Sequence, residues 1–165
     1  MPIYQCISPE GLLDESQREN IVGEITRIHC DATGAPRSFV NVLFQDMQNG
    51  RVFTGASRST HSMLFGDIRA GRDVATRQAM LRDLSLMWTR LTDEPEGEVL
   101  TALREVKAEN AIEAGAILPE PGEEQQWLEQ TKQVIEILQK APDMFIGQLL
   151  ELLAEFQQQN QRVST

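Results

Sequence analysis

The feature that most constrains this chain is a pattern that occurs twice. A short apolar segment, a helix-length amphipathic segment and a second apolar segment run over about residues 2–60, and the same order returns over about residues 61–122. A strand–helix–strand unit must bury the apolar stripe of its helix against its own strands. Two such units side by side give a four-stranded sheet with two helices on one face. The expected class is therefore α+β, built from a repeated β-α-β unit.

In the first half, Ile3 to Ser8 reads as a strand closed by Pro9-Glu10-Gly11. Asp14 opens a helix with Gln17 as its capping-box partner, and Ile21, Val22, Ile25 and Ile28 form its stripe. Gly34 and Pro36 stop it. Phe39 to Phe44 reads as a buried strand, and Gln48-Asn49-Gly50 as a hairpin turn from which Arg51 to Thr54 returns.

In the second half, Ser62 to Ile68 reads as a strand with Gly66 as its weak point. Asp73 opens a helix carrying Met80, Leu81, Leu84, Met87, Trp88 and Leu91 on one face, and Pro95 to Gly97 is a turn. Leu100 to Ala116 favours helix by propensity alone, whereas the repeat predicts a strand over Glu98 to Val106. The repeat is followed here.

The domain built from the two repeats, residues 1–125, is followed by an extension over 126–165. Helical stretches are expected over about 124–140 and 143–161, separated by Pro142. The second carries Phe145, Leu149, Leu152, Leu153 and Phe156 on one face, a stripe that needs a partner surface. The polar run Gln157 to Gln161 is expected to fray.

The formal net charge is −10. Nucleic acid and anionic membrane both call for concentrated Lys and Arg, so neither is an expected partner. A small acidic substrate remains compatible, because a few local arginines suffice to hold it. No run reaches the roughly 20 apolar residues of a membrane span. The start Met1-Pro2-Ile3-Tyr4-Gln5 lacks the basic and apolar regions of a signal peptide, and a cytoplasmic protein is expected. Cys6 and Cys30 lack C-x-x-C spacing and read as two buried thiols rather than a disulfide.

The candidate chemistry starts at Met1-Pro2. Initiator methionine is normally trimmed before a small residue, and the proline then carries a free secondary amine. An α-amino group titrates near 7.7–8.0, so local fields decide whether it acts as base or acid. A strand beginning at residue 3 would pin that amine inside the fold. Arg69-Ala70-Gly71-Arg72 sits at the entry to the second helix. Two arginines there can bind one carboxylate with paired hydrogen bonds, and they equally fit an ordinary surface loop. His29 falls on or beside the apolar face of the first helix, where a packed histidine bonded to a carbonyl is the plainer reading. Cys30 adjoins it, but helix neighbours do not face each other. His61 has no evident companion. Glu113 is one acid among many in its stretch. No His and carboxylate cluster has metal-ligand spacing, and no cofactor is expected.

Taken together, Pro2-Ile3-Tyr4, Ile25 to His29, Val40 to Gln45, Arg69-x-Gly71-Arg72, and Ile112-Glu113-Ala114-Gly115 followed by Leu118 to Gly122 resemble the tautomerase superfamily. The likeness is closest to its cis-3-chloroacrylic acid dehalogenase branch and covers about residues 2–128. It implies Pro2 as acid or base, Arg69 and Arg72 as carboxylate ligands, His29 as a binding aid and Glu113 as activator of water. It also implies a homotrimer. The branch places a tyrosine on the fourth strand where this chain has Ala102, and its single tyrosine is Tyr4. The expected chemistry is therefore keto–enol tautomerisation of a small 2-oxo or unsaturated carboxylate, or a weak hydratase or dehalogenase activity. The alternative is a non-catalytic scaffold of the same fold, assembled through its C-terminal helices.

Overall fold

The computed structural model describes residues 2–120 and 123–139. They fall into two compact units, one ending at Lys107 and one starting at Ala108.

The first unit holds a four-stranded sheet whose order from edge to edge is β2 (Asn41–Met47), β1 (Ile3–Pro9), β5 (Ser62–Arg69) and β6 (Val99–Val106). Strand β1 (Ile3–Pro9) pairs in parallel with β2 (Asn41–Met47), Ile3 opposite Asn41. It pairs antiparallel with β5 (Ser62–Arg69), Ile3 opposite Asp67. β5 in turn runs parallel to β6 (Val99–Val106), Arg69 opposite Val106. Each parallel pair is bridged by a helix, α1 (Glu15–Thr33) or α2 (Val74–Thr92). The repeated β-α-β unit is thus present, and the two halves meet along β1 and β5.

Local sequence explains the helix limits. Asp14 accepts from the Gln17 N–H while the Gln17 side chain accepts from the Asp14 N–H, the reciprocal cap expected from sequence. Asp73 caps α2 through the Thr76 N–H. Alternation along the central strands then selects the core. Tyr4, Cys6, Leu64 and Ile68 pack against Ile21, Ile25 and Ile28 of α1 and Leu84, Met87 and Trp88 of α2. Burying each such aliphatic or aromatic side chain contributes roughly 1.5–3 kcal/mol.

Some sequence expectations need correction. Val22 is exposed rather than part of the buried stripe of α1. The strand expected from Phe39 starts at Asn41, because Arg37–Phe39 form a 3-10 turn in which the Phe39 N–H bonds the Pro36 carbonyl. Arg51 to Thr54 does not return along β2. Strand β3 (Phe53–Thr54) pairs instead with β4 (Ser57–Arg58), and β2 takes β1 as its partner. Cys30 is half-buried while Cys6 is buried, and both are free thiols. Burial pushes the Cys6 thiol up to about 12. The segment 99–106 is a strand despite its helical propensity, since pairing with β5 along its whole length outweighs a few tenths of a kcal/mol per residue.

In the second unit, Ala108–Asn110 form a 3-10 turn and β7 (Ile112–Glu113) pairs with β8 (Ala116–Ile117). Helix α3 (Glu124–Gln139) follows, and the Trp127 indole N–H bonds the Ile117 carbonyl at 2.8 Å. Ala111, Leu118, Trp127 and Thr131 are buried. The helix expected over 143–161, with its stripe from Phe145 to Phe156, lies outside the described residues. Among the described residues no helix is long and apolar enough to cross a membrane.

Candidate active site

One end of the sheet gathers most of the residues singled out from sequence. β1 and β2 start there, β5 and β6 end there, and the C-terminal end of α1 returns to it. Pro2 precedes β1 at this end and is buried. Its carbonyl accepts the Asn41 backbone N–H at 3.1 Å, which carries the β1–β2 pairing up to the first described residue. The Pro2 nitrogen is a tertiary amide while Met1 is attached, and removal of Met1 makes it a secondary amine.

His29, in the last turns of α1, is 4% exposed. Its Nδ1 lies 2.9 Å from the Tyr4 hydroxyl, and the two rings meet edge to face. Burial pushes the His29 imidazole down to about 4, and the positive charges of the amino terminus and of Arg72 act in the same direction. His29 is thus close enough to Arg72 to feel its charge. Burial raises the Tyr4 phenol well above its ordinary value.

Arg72 follows β5 in the turn to α2, and its Nη2 donates to the Thr33 carbonyl at 3.4 Å. The turn is tied down from behind. Arg77 donates to the Arg72 carbonyl and forms an ion pair with Glu105 at 3.2 Å. Glu105 Oε1 also accepts the Gly71 N–H at 3.3 Å. Gly71 has φ 104°, a conformation other residues rarely adopt. Arg69 closes β5 opposite Val106. The alternation of β5 puts it with Met63, Phe65 and Asp67 on the face away from the helices.

Glu113 belongs to the second unit, where it pairs with Ala116 in the β7–β8 hairpin. The structure thus sets Pro2, His29, Arg69 and Arg72 at the same end of the sheet and carries Glu113 on a separate unit. His61 has a companion after all, since its Nδ1 lies 2.5 Å from Glu98.

Sequence reasoning missed Tyr4, Gly66, Arg77 and Glu105 as parts of this arrangement. A glycine inside a strand was the available signal, because it often marks a close approach. A Cβ at Gly66 would fall 2.6 Å from Leu103 Cδ2 and 2.7 Å from Tyr4 Cε1.

The sequence profile of the family described as "putative oxalocrotonate tautomerase enzyme" matches residues 1–132. The chain belongs to this tautomerase family. Solved structures agree with the assignment. The crystal structure of native Ps01740 is 38% identical, with a TM-score of 0.66, over 67% of this chain and 99% of that one. N1, a member of the cis-3-chloroacrylic acid dehalogenase family, is 28% identical with a TM-score of 0.74, over 81% of this chain and 99% of N1. A fused 4-OT trimer, 18% identical with a TM-score of 0.65 over 70% of this chain and 94% of that one, shares the fold. No match was found among curated protein sequences. The tautomerase fold, with its four-stranded sheet and helices, is thus the architecture of this chain.

Proposed function

We propose that this tautomerase, after loss of Met1, is an enzyme that uses the Pro2 amine as acid or base on a small 2-oxo or unsaturated carboxylate. Arg69 and Arg72 hold the carboxylate and His29 assists. The observation that carries the reading is the burial of Pro2 at the sheet end shared with His29 and Arg72. Keto–enol tautomerisation needs only one proton moved: the amine takes it from the enol hydroxyl or the adjacent carbon and returns it to the other position. Guanidinium groups stabilise the enolate charge that develops meanwhile. Water addition, with or without loss of halide, needs Glu113 as well, and Ala102 in place of the family's tyrosine favours the simpler reaction.

A trimer is part of the same proposal. The sheet face away from the helices carries Ile3, Ile7, Leu43, Met63, Phe65 and Leu100, of which Leu43 and Leu100 are exposed. Such an apolar surface calls for cover, and the fused 4-OT neighbour is a trimer.

The test is covalent. Another structural neighbour, Pt0534, is inactivated by 2-oxo-3-pentynoate. This conjugated ynone is an electrophile for a neutral amine, whose nitrogen bonds the alkyne carbon while its proton moves to the neighbouring carbon. One adduct per chain, mapped to the amino-terminal peptide and absent when Met1 is retained, supports the reading. An unlabelled chain with a free Pro2, inactive on small enols and haloacrylates, supports the scaffold instead.

A further inference from the structure

We propose that Tyr4 is a positioning residue that holds His29 as its Nε2–H tautomer, and that position 66 is glycine so the Tyr4 ring can do so. The imidazole then offers an N–H donor to the substrate carboxylate. This deepens the proposed function and depends on it only for what the donor meets.

The assignment follows from proton counting. Tyr4 is fully buried, and among the described residues its hydroxyl bonds only His29 Nδ1, at 2.9 Å. If Nδ1 carried the proton, it would donate to the phenol oxygen and leave the phenol's own O–H without an acceptor. A buried donor left in that state costs about 1–3 kcal/mol. With the phenol donating, Nδ1 accepts and both groups are satisfied. Burial keeps the phenol protonated and the imidazole neutral, so the one imidazole proton must sit on Nε2. Among the described residues Nε2 has no hydrogen-bond partner, and its N–H is the group left for a ligand. A carboxylate bound near Arg72 would thus meet a fixed neutral donor as well as a cation.

Geometry explains why the ring stays in place. Tyr4 stands opposite Gly66 in the antiparallel pair, and any side chain at 66 would press on Tyr4 and Leu103. The glycine that weakens β5 makes the slot for the ring that orients the histidine.

The test is the tautomer itself, read from long-range proton–nitrogen NMR correlations of the full, nitrogen-labelled chain. The chain has two histidines, so His61→Gln assigns the signals. We expect a single Nε2–H tautomer at neutral pH. Tyr4→Phe keeps the ring and removes the donor, and should mix the two tautomers. Gly66→Ala should do the same with the hydroxyl still present, and Tyr4→Phe decides alone if that variant fails to fold. A wild-type Nδ1–H tautomer, or an unchanged tautomer in a folded Tyr4→Phe, overturns the proposal. On a carboxylate substrate Tyr4→Phe should raise KM roughly 2- to 10-fold with kcat little changed. A lost tautomer with unchanged KM overturns the donor role. Absence of any turnover counts against the Pro2 chemistry and leaves the NMR result to decide the tautomer.

Discussion

Arg72 reaches from the turn after β5 to the carbonyl of Thr33 at the end of α1, 3.4 Å away. That contact joins the two β-α-β halves at the end of the sheet where Pro2 begins. It also leaves a planar cation beside a buried, neutral histidine. Arg72→Ala should lower kcat/KM for any carboxylate substrate by roughly 10- to 100-fold, the worth of a charged hydrogen bond. Arg72→Lys should recover little, since an ammonium lacks the two-pronged geometry. Steady-state kinetics on folded variants would settle this, and an Arg72→Lys enzyme with full activity would count against the carboxylate role.

Glu105 is expected to matter through Arg72. It accepts the Gly71 N–H and pairs with Arg77, which itself holds the Arg72 carbonyl. Glu105→Gln should raise KM with little change in kcat, and its effect should vanish in an Arg72→Ala background. Additive losses in that double-mutant cycle would show that Glu105 acts elsewhere.

Glu113 separates two chemistries. In Glu113→Gln, enol tautomerisation should persist, because one proton shuttles through Pro2 without activated water. Hydration or dehalogenation should disappear, and Ala102→Tyr should raise that activity in the wild-type background. Assays on a phenylpyruvate-type enol and on a 3-haloacrylate provide the comparison. Loss of enol turnover in Glu113→Gln would mean that water or the carboxylate takes part in the simpler reaction too.

His29 makes stability depend on pH. Its folded-state value of about 4 lies below the ordinary 6.5. Between those values the unfolded chain binds a proton that the folded chain does not, so stability rises with pH through this window. It is complete above about 6.5 and is lost as the pH falls, by about 3 kcal/mol on reaching 4. Urea unfolding at pH 7 and pH 4.5 should show the drop, and His29→Gln should flatten it. Equal slopes for both proteins would remove His29 as the cause.

Assembly should depend on the apolar sheet face. Leu100→Asp sits on its exposed edge strand and should leave each chain folded while dissociating the proposed trimer at micromolar concentration. Light scattering gives the mass directly, and a wild-type monomer would end the trimer reading.

The sequence by itself determined the four strands of the main sheet, the two helices that bridge them and their order. Capping chemistry at Asp14 and Asp73 is local, and apolar periodicity in Ile21, Ile25, Ile28, Met80, Leu84 and Trp88 repeats at helical spacing, so both helices were legible. The repeat also identified 99–106 as a strand against its own propensity. What the tertiary structure decided was pairing and protonation. β2 turned to β1 instead of forming a hairpin with the segment after Gly50, because a strand's partner depends on hydrogen bonds to residues distant in sequence. Likewise Tyr4, Gly66 and His29 lie far apart in the chain, and only their packing removes water from the phenol and the imidazole. That burial fixes which atom holds each proton, a property no residue carries on its own.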